Sequence, residues 1–171
     1  ITATSGSVAN DGNASTMIVG DILTVAVPSG AGIGALGGAG ALDVSVASLT
    51  ASAGTGGIFV SETATITLTS ITSTGEIRVV DLGGSITVVS IAGSVTQPTL
   101  LESVNGSIFD DGAATGISGG TLALHAEAGI GQGASGPLDT SVDSLSIDVG
   151  AGNVAVDETN GLLLAEVSIG L

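Results

Sequence analysis

Residues 66–91 read ITLTSITSTGEIRVVDLGGSITVVSI, and this stretch decides the fold. Branched aliphatics alternate for a step or two and then lose phase: Ile66, Leu68 and Ile71, then Ile77, Val79 and Leu82, then Ile86, Val88 and Ile91. Alternation with a period of two is a strand that buries one face, and each slip of phase is a corner. Ile66 and Ile86 stand 20 residues apart, and Leu124, Leu145 and Leu164 step by 21 and 19. Two or three short strands in such a step suit one coil of a solenoid. A single coil cannot bury its apolar face, whereas stacked neighbours create a continuous core. The expected fold is all-β: a parallel β-solenoid (β-helix) with coils of about 20 residues, one segment over residues 1–171. Eight or so coils at ~4.8 Å each would make a rod roughly 40 Å long. A β-sandwich is the alternative, because short strands at regular spacing suit it too.

Outward from this stretch the chain repeats itself on a larger scale. Gly6-Ser7-Val8-Ala9-Asn10-Asp11-Gly12 returns as Gly106-Ser107-Ile108-Phe109-Asp110-Asp111-Gly112. Gly32-Ile33-Gly34 returns as Gly129-Ile130-Gly131, Leu42-Asp43 as Leu138-Asp139, and Ser45 to Leu49 as Ser141 to Leu145. Gly57 to Thr63 then maps onto Asn153 to Thr159. A unit of roughly 98 residues, with 6–71 matching 106–169, is present about 1.7 times. Gly37-Gly38, Gly56-Gly57, Gly83-Gly84 and Gly119-Gly120 separate the apolar alternations and read as coil corners. Pro28, Pro98 and Pro137 read as loops or corners.

Composition narrows the function. Sixteen acidic residues face a single Arg and no Lys, for a net charge of −15. Nucleic acid and anionic membrane surfaces are repelled by such a chain. Two Phe, no Trp and no Tyr leave an aliphatic core and no aromatic platform for sugars. Without Cys there is no disulfide framework and no thiolate metal site. Every apolar run is broken well short of a membrane-spanning helix, so no membrane insertion is expected. Ile1 follows no signal-peptide pattern, so the expectation is a processed product or an excised segment.

Gly119-Gly120-Thr121-Leu122-Ala123-Leu124, Ala128-Gly129-Ile130-Gly131, Pro137 to Val142 and Gly152 to Val156 resemble the repeat regions of giant secreted bacterial proteins of the filamentous-haemagglutinin type. The resemblance implies a right-handed parallel β-helix that projects from the bacterial cell surface and serves adhesion, biofilm or sheath formation. It implies no catalytic residue and no required cofactor.

Acidic residues are the remaining candidates for chemistry. Asp110 and Asp111, echoed by Asp11, could offer carboxylates to Ca²⁺, which prefers oxygen ligands. Asp157 and Glu158, with Asp148 a corner earlier, form a weaker candidate of the same kind. Asx turns explain the same residues without a metal. Asp43 and Asp139 read as turns that position the next strand. Glu62 and Glu158 read as solvent-facing charges at strand ends, which discourage lateral aggregation. His125 and Arg78 alternate with apolar neighbours and point outward. An enzyme acting on acidic polysaccharides would need basic residues, and Arg78 alone cannot supply them. The function expected is a non-catalytic structural segment of an extracellular fibre. Its partners would be copies of itself end to end or the continuing parent chain, and cell or matrix surfaces. A calcium-dependent adhesive module is the second reading.

Overall fold

The computed structural model describes residues 1–37, 40–114 and 116–170. Fourteen strands follow in order: β1 (Ile18–Ala26), β2 (Leu42–Ala53), β3 (Ile58–Glu62), β4 (Ile66–Ser73), β5 (Ile77–Asp81), β6 (Ile86–Val88), β7 (Ile91–Ala92), β8 (Thr99–Ser103), β9 (Ser107–Asp110), β10 (Ile117–Ala126), β11 (Gly129–Ile130), β12 (Leu138–Val149), β13 (Val156–Glu158) and β14 (Leu163–Ile169). No described residue is helical. Every strand pairing is parallel, which rules out the antiparallel sandwich. The chain is a β-solenoid of about 7 turns whose coils lie about 22 residues apart. The spacing is wider than the expected 20, because loops are inserted between strands in some coils.

One coil shows the construction. Ile58, Val60 and Glu62 on β3 form a first wall, Ile66 and Leu68 a second, and Ile71 and Ser73 a third, and all seven side chains are buried. The next coil places Ile77 on Ile58, Val79 on Val60 and Asp81 on Glu62. Ile86 then sits on Ile66 and Ile91 on Ile71. Like residues thus stack at the strand-to-strand spacing, and the core is a set of parallel columns. One runs from Val8 through Ile33, Ile58, Ile77, Thr99, Leu122 and Leu145 to Leu164. The register corrects two sequence readings. Leu145 sits on Leu122 and not on Leu124. Strict alternation from Ile77 also carries Asp81 inward, while Leu82 is 47% exposed.

Gly56-Gly57 and Gly83-Gly84 lie at corners as expected. Gly119-Gly120 instead falls inside β10, where a Cβ on Gly120 would meet the Val95 carbonyl oxygen at 2.3 Å. Gly38 lies outside the described residues. Pro28, Pro98 and Pro137 all lie between strands.

The long repeat is real in three dimensions. Gly34 (φ 66°) and Gly131 (φ 60°) make the same left-handed turn. Their N–H groups donate to Val8 O and Ile108 O respectively, both at 2.8 Å. A Cβ on either would collide with a backbone carbonyl, Phe59 O at 2.2 Å or Ala155 O at 1.8 Å. A bulge leaves Thr69 unpaired between Leu68 and Ser70 in the first unit, and Ala165 unpaired between Leu164 and Glu166 in the second. Yet the units are not in phase with the coil. Val8 begins a coil on the first wall, whereas its counterpart Ile108 stacks on Ile86 and Ile66 in the second wall, four coils later. The second unit is displaced by three of the seven inward positions, almost half-way round the cross-section.

Candidate binding clefts

Each unit carries two loops that interrupt a wall without breaking its columns. In the first unit they lie between Val8 and β1 and between Ile33 and β2; in the second, between β9 and β10 and between β11 and β12. The first loop of each pair opens on Asn/Asp-Asp-Gly. Asp11 Oδ1 accepts from Asn13 N at 2.9 Å and Asp111 Oδ1 from Ala113 N at 3.0 Å, which are Asx turns. Gly12 and Gly112 supply positive φ in both.

A cleft lies beside the loops of each unit, lined by both loops in the first and by the loop between β9 and β10 in the second. The first, about 600 Å³, is lined by Met17, Leu36, Asp43, Phe59, Arg78 and Leu82 among others. It gathers the only Met, the only Arg and one of the two Phe of the chain into one site. Arg78 Nη2 lies 3.3 Å from Glu102 Oε2, so the guanidinium is paired with a carboxylate. The second cleft, about 410 Å³, is lined by Ile91, Ala114, Asp139, Thr140, Asp157 and Thr159 among others. Asp43 and Asp139, Ser61 and Asp157, and Thr63 and Thr159 are equivalent lining positions. The same fold element therefore makes an apolar cleft with one cation and a polar cleft with carboxylates, facing different sides of the rod.

Asp43 and Asp139 are not turn residues, as the sequence suggested, but second residues of β2 and β12. Asp43 is buried under the loop and accepts a hydrogen bond from Asn10 Nδ2 at 3.0 Å. In the second unit the residue equivalent to Asn10 is Asp110, which is 2% exposed. Its Oδ2 accepts from Gly112 N at 2.6 Å, and its Oδ1 is buried without a partner. Asp139 is the register partner of Asp157. Desolvation raises the Asp139 carboxyl above its ordinary range, and the charges of Asp110, Asp157 and Asp111 raise it further.

The calcium candidates thus divide. Asp110, Asp111 and Asp157 all act by their charge on Asp139, which is the register partner of Asp157. Asp11 belongs to the other unit. Glu158 turns inward, receiving Thr140 Oγ1 at 2.8 Å and the N–H of Val142 at 3.3 Å. Asp148 lies on the first wall beside His125, 3.6 Å from its Nε2. Among the described residues no three His, Cys, Asp or Glu side chains are grouped closely enough to hold a metal ion together. His125 is exposed, as alternation with Leu122 and Leu124 predicts.

Glu62 overturns a second expectation. Far from facing solvent, it has no exposed surface. Its Oε2 accepts from Val46 N at 2.9 Å, and its Oε1 from Thr63 N at 2.8 Å and Ala64 N at 3.0 Å. The carboxylate therefore satisfies backbone donors left over at a corner and links two coils. Asp81 stacks directly on it, also fully buried. Asp81 Oδ1 accepts from Gly83 N and Gly84 N, while Oδ2 has no partner. Burial pushes both carboxyls up, and the charge of Asp81 raises Glu62 further. Hydropathy alone favours Leu82 as the inward residue, whereas alternate residues counted from Ile77 lead to Asp81.

No protein-family model, no curated protein and no solved structure matches this chain. Among the described residues no helix is long and apolar enough to cross a membrane.

Proposed function

We propose that this chain is a non-catalytic structural segment of an extracellular bacterial surface fibre, an adhesin-like scaffold of the filamentous-haemagglutinin type. In that fibre, copies of the solenoid stack end to end. The observation that carries this reading is the unbroken stacking of parallel coils, in which each coil covers the apolar columns of the one before it. All seven residues of β14 are exposed, and Leu164, Val167 and Ile169 continue the inner columns of Leu145, Ile147 and Val149 with about half their surface bare. An open parallel ladder with an uncovered apolar column is a template for one more coil. Lateral association is opposed by the net charge of −15, so growth along the axis is the favoured direction.

Electron microscopy of the purified chain at neutral pH tests the reading. Uniform filaments about one solenoid wide are expected, and the double variant Val167→Asp with Ile169→Asp should give single rods with unchanged circular dichroism. Discrete monomers of the unaltered chain at high concentration would sink the proposal.

A further inference from the structure

The two units are an internal control for each other, and at one position they disagree. Beside the first cleft an amide meets the lining carboxylate of Asp43: Asn10 Nδ2 donates to Asp43 Oδ2 at 3.0 Å, tying the first loop to β2. At the second cleft the equivalent residues are the buried Asp110 and the lining Asp139, two acceptors where the first unit has a donor and an acceptor. Asp110 is 2% exposed and its Oδ1 has no partner. An acceptor buried without a donor among charges of its own sign is left uncompensated unless a proton or a cation sits beside it. Asp157, in register with Asp139, and Asp111, next to Asp110 in the chain, add charge of the same sign. No Lys exists in the chain, and its single Arg is engaged with Glu102 at the other cleft.

We propose that a calcium ion bridges Asp110 and Asp139 beside the second cleft, replacing the amide that joins the same positions in the first unit. Calcium fits because the site offers oxygen ligands only and the ion tolerates irregular coordination completed by water. Two bridging carboxylates without a third in direct reach place the affinity on the order of 10⁻⁴–10⁻³ M, the range of extracellular modules. The ion would fasten the loop between β9 and β10 onto β12, as Asn10 fastens its counterpart onto β2.

Asp110→Asn tests this without threatening the fold, since it installs the residue already present at position 10. Thermal unfolding of the metal-stripped full chain is followed as calcium chloride is added. The unaltered chain should gain thermal stability that saturates in the millimolar range. Asp110→Asn should lose that response while its melting temperature without calcium equals or exceeds that of the unaltered chain. Three results would overturn the proposal: no response of the unaltered chain; an undiminished response of Asp110→Asn, which would put the ion elsewhere; or full stabilisation by mild acid alone with nothing added by calcium, which would make the bridge a proton.

Discussion

Glu62 and Glu158 hold the same place in their units and do the same work. Each lies one coil beyond the strand it serves and accepts the N–H of a valine, Val46 or Val142, from the preceding coil. Their surroundings differ. Glu62 is roofed by β5 and has no exposed surface, whereas Glu158, on β13, has no strand stacked beyond it among the described residues and is half-buried. In a solenoid the worth of a residue is therefore set jointly by its local motif and by how many coils lie above it. Burial on the far side turns a hydrogen-bonded corner carboxylate from a modest contributor into a structural necessity, because nothing else can satisfy the donors it leaves.

The sharpest way to break this comparison is the pair of truncations. Glu62→Ala orphans three backbone N–H groups in the interior and should cost about 3 kcal/mol or more, while Glu158→Ala, open to water, should cost about 1 kcal/mol. Urea unfolding measures both, and equal losses would show that the coil above is irrelevant. A smaller effect separates Glu62 from its roof. The folded chain holds protons on Glu62 and Asp81 more tightly than the unfolded chain, whose carboxyls titrate near 4.5 and 3.8. Through this pair, stability is full below those values and declines as pH rises through the raised values of the folded state. Asp81→Asn keeps the oxygen that accepts from Gly83 and Gly84 and removes one charge. It should flatten that decline and raise stability at neutral pH by about 1 kcal/mol. A variant less stable than the parent at pH 7, with the slope intact, would refute the account. Least of all should depend on Arg78 and Glu102 on the outer surface. Their side chains are 42% and 25% exposed. A double-mutant cycle should give a coupling under about 1 kcal/mol that fades with salt.

Much of the architecture was legible in the chain. The stretch 66–91 declares parallel coils, since its aliphatics recur at nearly the spacing at which Ile66 meets Ile86 and Ile71 meets Ile91. The long repeat was equally plain, and the shared turns at Gly34 and Gly131 show that local sequence determines local shape. Less legible were the insertions. Loops that leave a wall and return to it, as between Ile33 and Leu42, change the spacing without changing the columns, so a residue count alone misplaces Leu145 against Leu124. The clefts were not legible at all. Met17, Phe59 and Arg78 come from different coils, and only stacking brings them together.

The sequence by itself determined the all-β solenoid, the aliphatic core and the repeated loops, because period-two alternation and corner residues act over a few neighbours. Tertiary structure alone decided which charges are buried. Whether a carboxylate such as Glu62, Asp81 or Asp110 meets water depends on the coil above and the loop beside it. Those neighbours lie about one turn away in sequence and on one side in space. The same register decided that the second unit sits three inward positions round from the first, so that one repeated motif presents two unlike clefts.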